Sequence, residues 1–234
     1  MGKVILIGSQ KNDIGKTIIC IKLGINISDM GKRVILMDLS TGKKKISEYL
    51  NVNEEIIYDI KDVLESTCSL EQAAIEINDN LSLIPSPRIV DKLKDIKIEE
   101  FLGLIKDAEK SYDVILIDVD KISSSYIDFD LITHIILVNN NDFSCVKELN
   151  TDKMIAGKFN VNRILPVLNK YNRKSANKGS MINSKDIQKM TDMNMDIVIE
   201  DNIKYLNADC DFIVSKDDNS FNKAIKLIEN NITS

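Results

Sequence analysis

Gly8-Ser9-Gln10-Lys11-Asn12-Asp13-Ile14-Gly15-Lys16-Thr17 decides how the rest of this chain is read. It follows the apolar run Val4-Ile5-Leu6-Ile7 and precedes a helical pattern that begins at Ile18. Strand, tight loop and helix in that order suit phosphate binding, because N–H groups of the loop and helix start can point at an anion. Lys16 supplies a cation for the outer phosphates and Thr17 a hydroxyl for Mg²⁺. The pattern G-x-x-x-x-G-K-[ST] is met only in its second half, since Gln10 stands where the first glycine belongs. The dinucleotide pattern G-x-G-x-x-G fails further, with only Gly8 and Gly15 present. The competing reading is an ordinary strand–turn–helix junction with a chance Gly-Lys-Thr. Placement between a strand and a helix favours the phosphate loop.

The 234 residues suit one α/β domain spanning 1–234 better than two. Hydrophobic residues make up 44% and aromatic residues only 5%, with no Trp, so the core must be built from Ile, Leu and Val. Net charge is −5, which is no nucleic-acid footprint, and a nucleic-acid partner is not expected. Cys20, Cys68, Cys145 and Cys210 are widely spaced and form no C-x-x-C. Without a secretory signal they read as reduced thiols of a cytoplasmic protein. No apolar stretch approaches the roughly 18 residues of a membrane span.

Short Ile/Val-rich runs at 3–7, 33–38, 81–84, 113–118, 132–138, 161–168 and 196–199 predict strands buried on both faces. Segments 16–30, 57–65, 97–110, 143–157, 183–192 and 219–232 carry apolar residues at helical spacing. The alternation predicts βαβ units, a mostly parallel sheet and helices on both faces. Ligands in such sheets bind beyond the C-terminal strand ends, where residues 8–17 fall. No repeat, low-complexity tract or linker is visible.

A phosphate loop needs a carboxylate near Mg²⁺. Asp38 closes Val34-Ile35-Leu36-Met37 and Asp118 closes Val114-Ile115-Leu116-Ile117. An acid at the end of a buried strand is costly unless it has a partner or faces a site. The bland alternative for each is a solvated strand-end Asp.

These segments together resemble the ParA/MinD group of deviant Walker ATPases. Ser9-Gln10-Lys11-Asn12-Asp13-Ile14-Gly15-Lys16-Thr17 aligns with that group's loop, S-G-K-G-G-V-G-K-T, so Lys11 falls on its signature lysine. Arg33-Val34-Ile35-Leu36-Met37-Asp38 looks like its second strand, and Asn80-Leu81-Ser82-Leu83-Ile84-Pro85 like its N-L-x-x-L-P segment. Tyr112-Asp113-Val114-Ile115-Leu116-Ile117-Asp118 looks like its Walker B strand. Val167-Leu168-Asn169-Lys170 looks like the segment whose Asn reads adenine. The likeness covers nearly the whole chain, with MinD-type members closest in layout. It implies a P-loop NTPase of the SIMIBI type that uses ATP/ADP and Mg²⁺. It implies catalytic roles for Lys11 and Lys16 and nucleotide contacts from Lys11, Asn12, Asp13, Ile14, Gly15, Lys16, Thr17, Ile18 and Asn169. It implies Mg²⁺ held through Thr17, Asp38 and Asp118. It also implies a homodimer closed around two nucleotides, with Lys11 reaching across to the partner's phosphates, and a protein partner or cargo machine that the cycle positions.

The chain departs from the pattern where hydrolysis is concerned. The group's D-x-D reads Asp38-Leu39-Ser40 here, and a serine hydroxyl cannot serve as a carboxylate base. Its D-x-x-x-G reads Asp118-Val119-Asp120-Lys121-Ile122, where Ile122 lacks the backbone freedom of Gly. Gln10, Asn12 and Asp13 replace loop glycines, although Asn and Asp tolerate left-handed backbone. The expectation is a retained fold and nucleotide site with slow hydrolysis.

Three other features have bland readings. His134, the sole histidine, reads as a satisfied strand residue because metal sites need several ligands. Lys43-Lys44-Lys45 reads as a solvated turn or helix start, against the sharper reading of contact with a nucleotide or an acidic partner. Phe221, Ala224, Ile225, Ile228 and Ile232 read as the face of a last core-packing helix, too weakly basic for a direct membrane anchor. Three functions follow. The first is a nucleotide-dependent dimerising positional switch. The second is a nucleotide-independent scaffold of the TadZ type. The third, less favoured, is a small-molecule P-loop kinase or synthase such as the dethiobiotin synthetase branch.

Overall fold

The computed structural model describes residues 2–89, 93, 95–158, 163–201, 210–215 and 219–233. Its centre is an eight-stranded sheet of order β3-β4-β2-β5-β1-β6-β7-β8. The strands are β1 (Lys3–Gly8), β2 (Val34–Leu39), β3 (Ile75–Asn78), β4 (Leu81–Ile84), β5 (Val114–Val119), β6 (His134–Asn139), β7 (Ile164–Tyr171) and β8 (Ile197–Glu200). Every pairing is parallel except β3 with β4.

Each inner strand is apolar throughout because both of its faces are covered. Val4 and Leu6 of β1 belong to one core cluster, and Ile5 and Ile7 to the other. Ile115 and Ile117 of β5 divide from Val114 and Leu116 in the same way. This is the two-residue strand period with a core on each side. Helix α1 (Lys16–Asp29) and the last helix (Ser220–Thr233) cover one face, through Ile19, Leu23, Phe221, Ile225 and Ile228. Helices Ile98–Ser111 and Cys145–Gly157 cover the other, through Phe101, Leu104, Ile105 and Leu149. The expected mostly parallel sheet with helices on both faces is therefore observed. All five apolar residues named for the last helix are buried.

Some boundaries move for local reasons. The helix expected at 57–65 starts at Ile60, because the Asp59 side chain accepts from Lys61 N–H at 2.8 Å and caps the first turn. Strand β3 was absent from the expected set. It is a four-residue edge strand in a hairpin with β4, with one face exposed and no continuous apolar run to announce it. Residues 161 and 162 of the strand expected at 161–168 lie outside the described residues. The described part of that strand runs on to Tyr171, so Asn169 and Lys170 belong to β7 itself. Ile122 is fully buried, and a Cβ on Gly8 would meet its Cγ2 at 2.6 Å. It closes the core over the end of β1.

Candidate functional site

The C-terminal ends of β1, β5 and β2 open onto the loop that leads into α1. Gly15 caps that helix with φ +86°, and Asp13 takes φ +56°, so two of the loop's turns are left-handed. The aspartate does what a glycine would otherwise do there. A Cβ on Gly15 would lie 2.5 Å from Asn169 Nδ2, which donates to Ile14 O at 2.6 Å. Lys170 Nζ donates to Asp13 O. Strand β7 thus holds the crest of the loop by two side chains.

A cleft lies over this loop and is lined by the expected residues Asn12, Asp13, Ile14, Gly15, Lys16, Thr17, Ile18 and Asn169. Sequence reasoning did not assign Tyr49, Asp120, Lys170 or Phe221 to it, yet they complete its walls. Lys43 and Lys44 also line it, and Lys44 Nζ sits 4.0 Å from the centre of the Tyr49 ring. The lysine run was a signal for this rim. The aromatic residues gave none, because they lie far from the loop in sequence.

Lys16 is 6% exposed and its ammonium donates to Lys11 O at 2.8 Å. Burial lowers its pKa, against the raising influence of Asp118, Asp120, Asp13 and Asp152. A dehydrated cation in that setting gains from an incoming polyanion. Thr17 Oγ1 donates to Asp118 Oδ2 at 2.6 Å, while Asp118 Oδ1 is buried with no hydrogen-bond partner among the described residues. Burial, and then the nearby Asp38, push the Asp118 carboxyl up to about 8. Asp38 Oδ1 accepts from Ser40 N–H and Oγ, and its Oδ2 from Ile46 N–H at 3.0 Å. Thr17, which lines the cleft, is thus tied to Asp118 beneath it. Asp118 and Asp38 are both fully buried and neither lines the cleft, and both Asp38 oxygens are engaged by the β2 loop.

A divalent ion fits this donor set. Among the described residues no three His, Cys, Asp or Glu side chains converge into a metal cage. Mg²⁺ does not need one, because it is held by one or two protein oxygens together with phosphate and water. The Thr17 hydroxyl and the unpartnered Asp118 oxygen supply that kind of position.

Lys11 does not line the cleft. Its ammonium is paired within its own chain to Asp142, to Glu148 at 3.5 Å and to Asn140 Oδ1 at 2.9 Å. Gln10, in the place of the first loop glycine, donates to Asp152 Oδ1 at 2.6 Å. Burial raises the Asp152 carboxyl to about 6. Both loop residues are thus tied to helix Cys145–Gly157. His134 is buried in β6, with Nδ1 2.9 Å from Thr133 Oγ1, and remote from this cleft's lining.

A parallel sheet with a Gly-Lys-Thr loop at the end of its central strand defines a P-loop nucleotide-binding class of protein. Residues 2–145 match the AAA_31 family model, described as an AAA domain. The chain belongs to that family, and within it to the ParA/MinD group of P-loop ATPases. It is 31% identical over 121 residues to the septum site-determining protein MinD of Bacillus subtilis (strain 168), covering 50% of this chain and 45% of that protein. To the MinD of Helicobacter pylori it is 32% identical over 120 residues, covering 50% and 44%. The matched region thus spans about half the length of these curated relatives. Among solved structures, the cell division ATPase MinD of Pyrococcus furiosus superposes with TM-score 0.83 at 21% identity, covering 100% of this chain and 99% of that one. MinD complexed with Mg-ADP from Pyrococcus horikoshii gives 0.80 at 22% identity, covering 98% and 95%. These superpositions establish the shared fold.

Among the described residues no helix is long and apolar enough to cross a membrane.

Proposed function

We propose that this chain binds ATP with Mg²⁺ in the cleft over the 8–17 loop and works as a nucleotide-dependent, dimerising positional switch with slow turnover. The observation that carries this reading is the convergence of Lys16, Thr17 and Asp118 at the start of α1: a buried cation, and a hydroxyl bonded to a carboxylate that has one oxygen open. Lys16 and the N–H groups of the helix start would hold the phosphates. Thr17 would ligate Mg²⁺ directly, with Asp118 orienting it and Asp38 supporting Asp118 from the neighbouring strand. The ion would neutralise phosphate charge there. Asn169 and the rim of Tyr49 and Phe221 would face the base. The septum-site-determining role of the MinD relatives supports a positional task. For this chain we place that task in the cytoplasm, with a homodimer that recruits a protein partner.

A second reading has its own support. Lys16 is satisfied by a loop carbonyl, and Asn169 and Lys170 stitch the crest of the loop to β7. A loop closed this tightly suits a scaffold that keeps the fold without cycling nucleotide. Calorimetric titration of Mg·ATP into the wild type and Lys16→Ala separates the two. Micromolar binding that the substitution removes supports the switch, whereas no binding to either protein leaves the scaffold. Sedimentation velocity with a non-hydrolysable ATP analogue then reads nucleotide-dependent dimerisation.

A further inference from the structure

Among the described residues three carboxylates line the cleft: Asp13, Asp120 and Asp201. Asp13 sits on the crest of the loop, and Asp201 follows β8, with its N–H bonded to Tyr171 O on the β7 side. Asp120 is placed differently. Strands β2 and β5 pair Asp38 with Asp118 and Leu39 with Val119, which carries Ser40 and Asp120 forward to the cleft as the next residues of the two strands. The Ser40 hydroxyl is committed inward, donating to Asp38 at 2.7 Å. Asp120 is held from two sides. Its carbonyl accepts from Ser9 N–H at 3.3 Å, and its Oδ2 accepts from both the N–H and the hydroxyl of Thr41. Its Oδ1 accepts no hydrogen bond from the described residues. Lys16 marks the outer-phosphate end of the cleft, and Asp120 is the strongest carboxylate influence on it after Asp118. Asp118 itself is buried and bonded to Thr17.

Phosphoryl transfer to water asks little covalent chemistry of a protein, but it does need a polar group that orients the water. That group must be fixed beforehand and must keep an acceptor free. Asp120 has one oxygen clamped and one open, in the cleft whose lining it shares with Lys16. We propose that Asp120 is the water-orienting carboxylate for nucleotide hydrolysis by this chain, in place of the one that Ser40 does not supply. In that step the water oxygen bonds to the γ-phosphorus as the bond to the β,γ-bridging oxygen breaks. The bridging oxygen leaves on ADP with the bonding pair, and the proton shed by the water passes to the released phosphate or to solvent. Asp120 accepts a hydrogen bond from the water throughout and ends unchanged. The inference rests on the nucleotide-binding reading above and deepens it.

Asp120→Asn is the informative variant, because an amide oxygen still accepts from Thr41 while the carboxylate is gone. Calorimetry would compare Mg·ADP with Mg·ADP plus aluminium fluoride, which mimics the transferring phosphoryl group with its in-line water. The wild type is expected to bind the mimic at least about ten-fold tighter than ADP. Asp120→Asn is expected to bind ADP no more weakly than the wild type, to melt at the same temperature and to lose the gain for the mimic. Asp120→Glu is expected to recover part of it. Steady-state ATP turnover should fall in parallel. Retention of the full gain by Asp120→Asn overturns the assignment, as does a wild type that binds ADP but shows no gain. A wild type that binds no nucleotide at all overturns the functional reading itself.

Discussion

Asp38 and Asp118 stand opposite each other on β2 and β5, in register and both without exposed surface. Two carboxylates so placed cannot both ionise cheaply. Burial raises the pKa of both; among the described residues Asp38 receives three hydrogen bonds, from Ser40 and Ile46, that work against this rise, whereas Asp118 receives one, from Thr17. The proton therefore rests with Asp118, whose pKa is pushed up to about 8.

This pair predicts an unusual stability profile for the nucleotide-free protein. Between the ordinary aspartate value of 3.8 and about 8, the folded state holds a proton that the unfolded chain releases. Stability from this group is full below the lower value and is lost as pH rises through the upper one. Asp118→Asn cannot lose that proton. Its melting temperature should exceed that of the wild type by several degrees at pH 8.5, and the gap should shrink towards pH 5. The same variant should weaken Mg²⁺-dependent nucleotide binding by about 10–100-fold, the usual effect of losing a residue that orients a metal ligand. Parallel melting curves across this range would refute the account.

Gly15 joins the loop to β7. Its φ of +86° disfavours any side chain, and a Cβ would come within 2.5 Å of Asn169 Nδ2. Gly15→Ala should cost about 1–2 kcal/mol from the left-handed backbone alone, plus the displacement of Asn169. Gly42 lies in the same cleft, where an added Cβ would find its nearest neighbour at 3.9 Å, so Gly42→Ala is the control. Chemical denaturation should show a clear loss for the first variant and a change within about 0.5 kcal/mol for the second.

How far the sequence could go is seen by contrasting these residues. The Gly-Lys-Thr sequence and the two strand-end aspartates were legible because each is a local pattern with a fixed geometric meaning. The two-sided core was legible in the uninterrupted apolar runs of β1, β2 and β5. The β3 edge was not, since a half-exposed four-residue strand owes its existence to β4 rather than to its own pattern. The ties on the loop were also hidden. Asn169 meets Ile14 and Lys11 meets Asp142 across more than a hundred residues, and only the packed sheet sets those distances. Ile122 looked like a lost site glycine, and the fold uses it as core over Gly8.

The pairing of Lys11 within its own chain bears on the proposed dimer. A lysine that must reach a partner subunit has first to leave Asp142, Glu148 and Asn140. Asp142→Asn weakens that hold while preserving a hydrogen-bond acceptor. With a non-hydrolysable ATP analogue, the dimer dissociation constant should fall by about five-fold, corresponding to roughly 1 kcal/mol for a partly exposed ion pair. Lys11→Ala should raise it. Sedimentation velocity over a concentration series reads both, and an unchanged constant in both variants would remove Lys11 from the dimer contact.

His134 gives an acid-side prediction that involves no ligand. It is buried in β6, with Nδ1 at Thr133 Oγ1 and Nε2 3.5 Å from an Arg163 nitrogen. Burial, then Arg163 and Lys3, lower its pKa from 6.5 to about 4. The folded imidazole is therefore neutral in a range where the unfolded chain takes up a proton. Stability from this group is full above the ordinary value of 6.5 and is lost as pH falls towards about 4. The loss has an upper bound of about 1.4 kcal/mol per pH unit inside that window. His134→Gln keeps polar atoms in the strand but does not titrate. Its melting temperature should lie below that of the wild type at pH 7.5, because the native packing is disturbed. Its acid limb between pH 6.5 and 4.5 should be flatter, so the two curves converge. Acid limbs of equal slope would mean that the histidine is already charged in the folded protein.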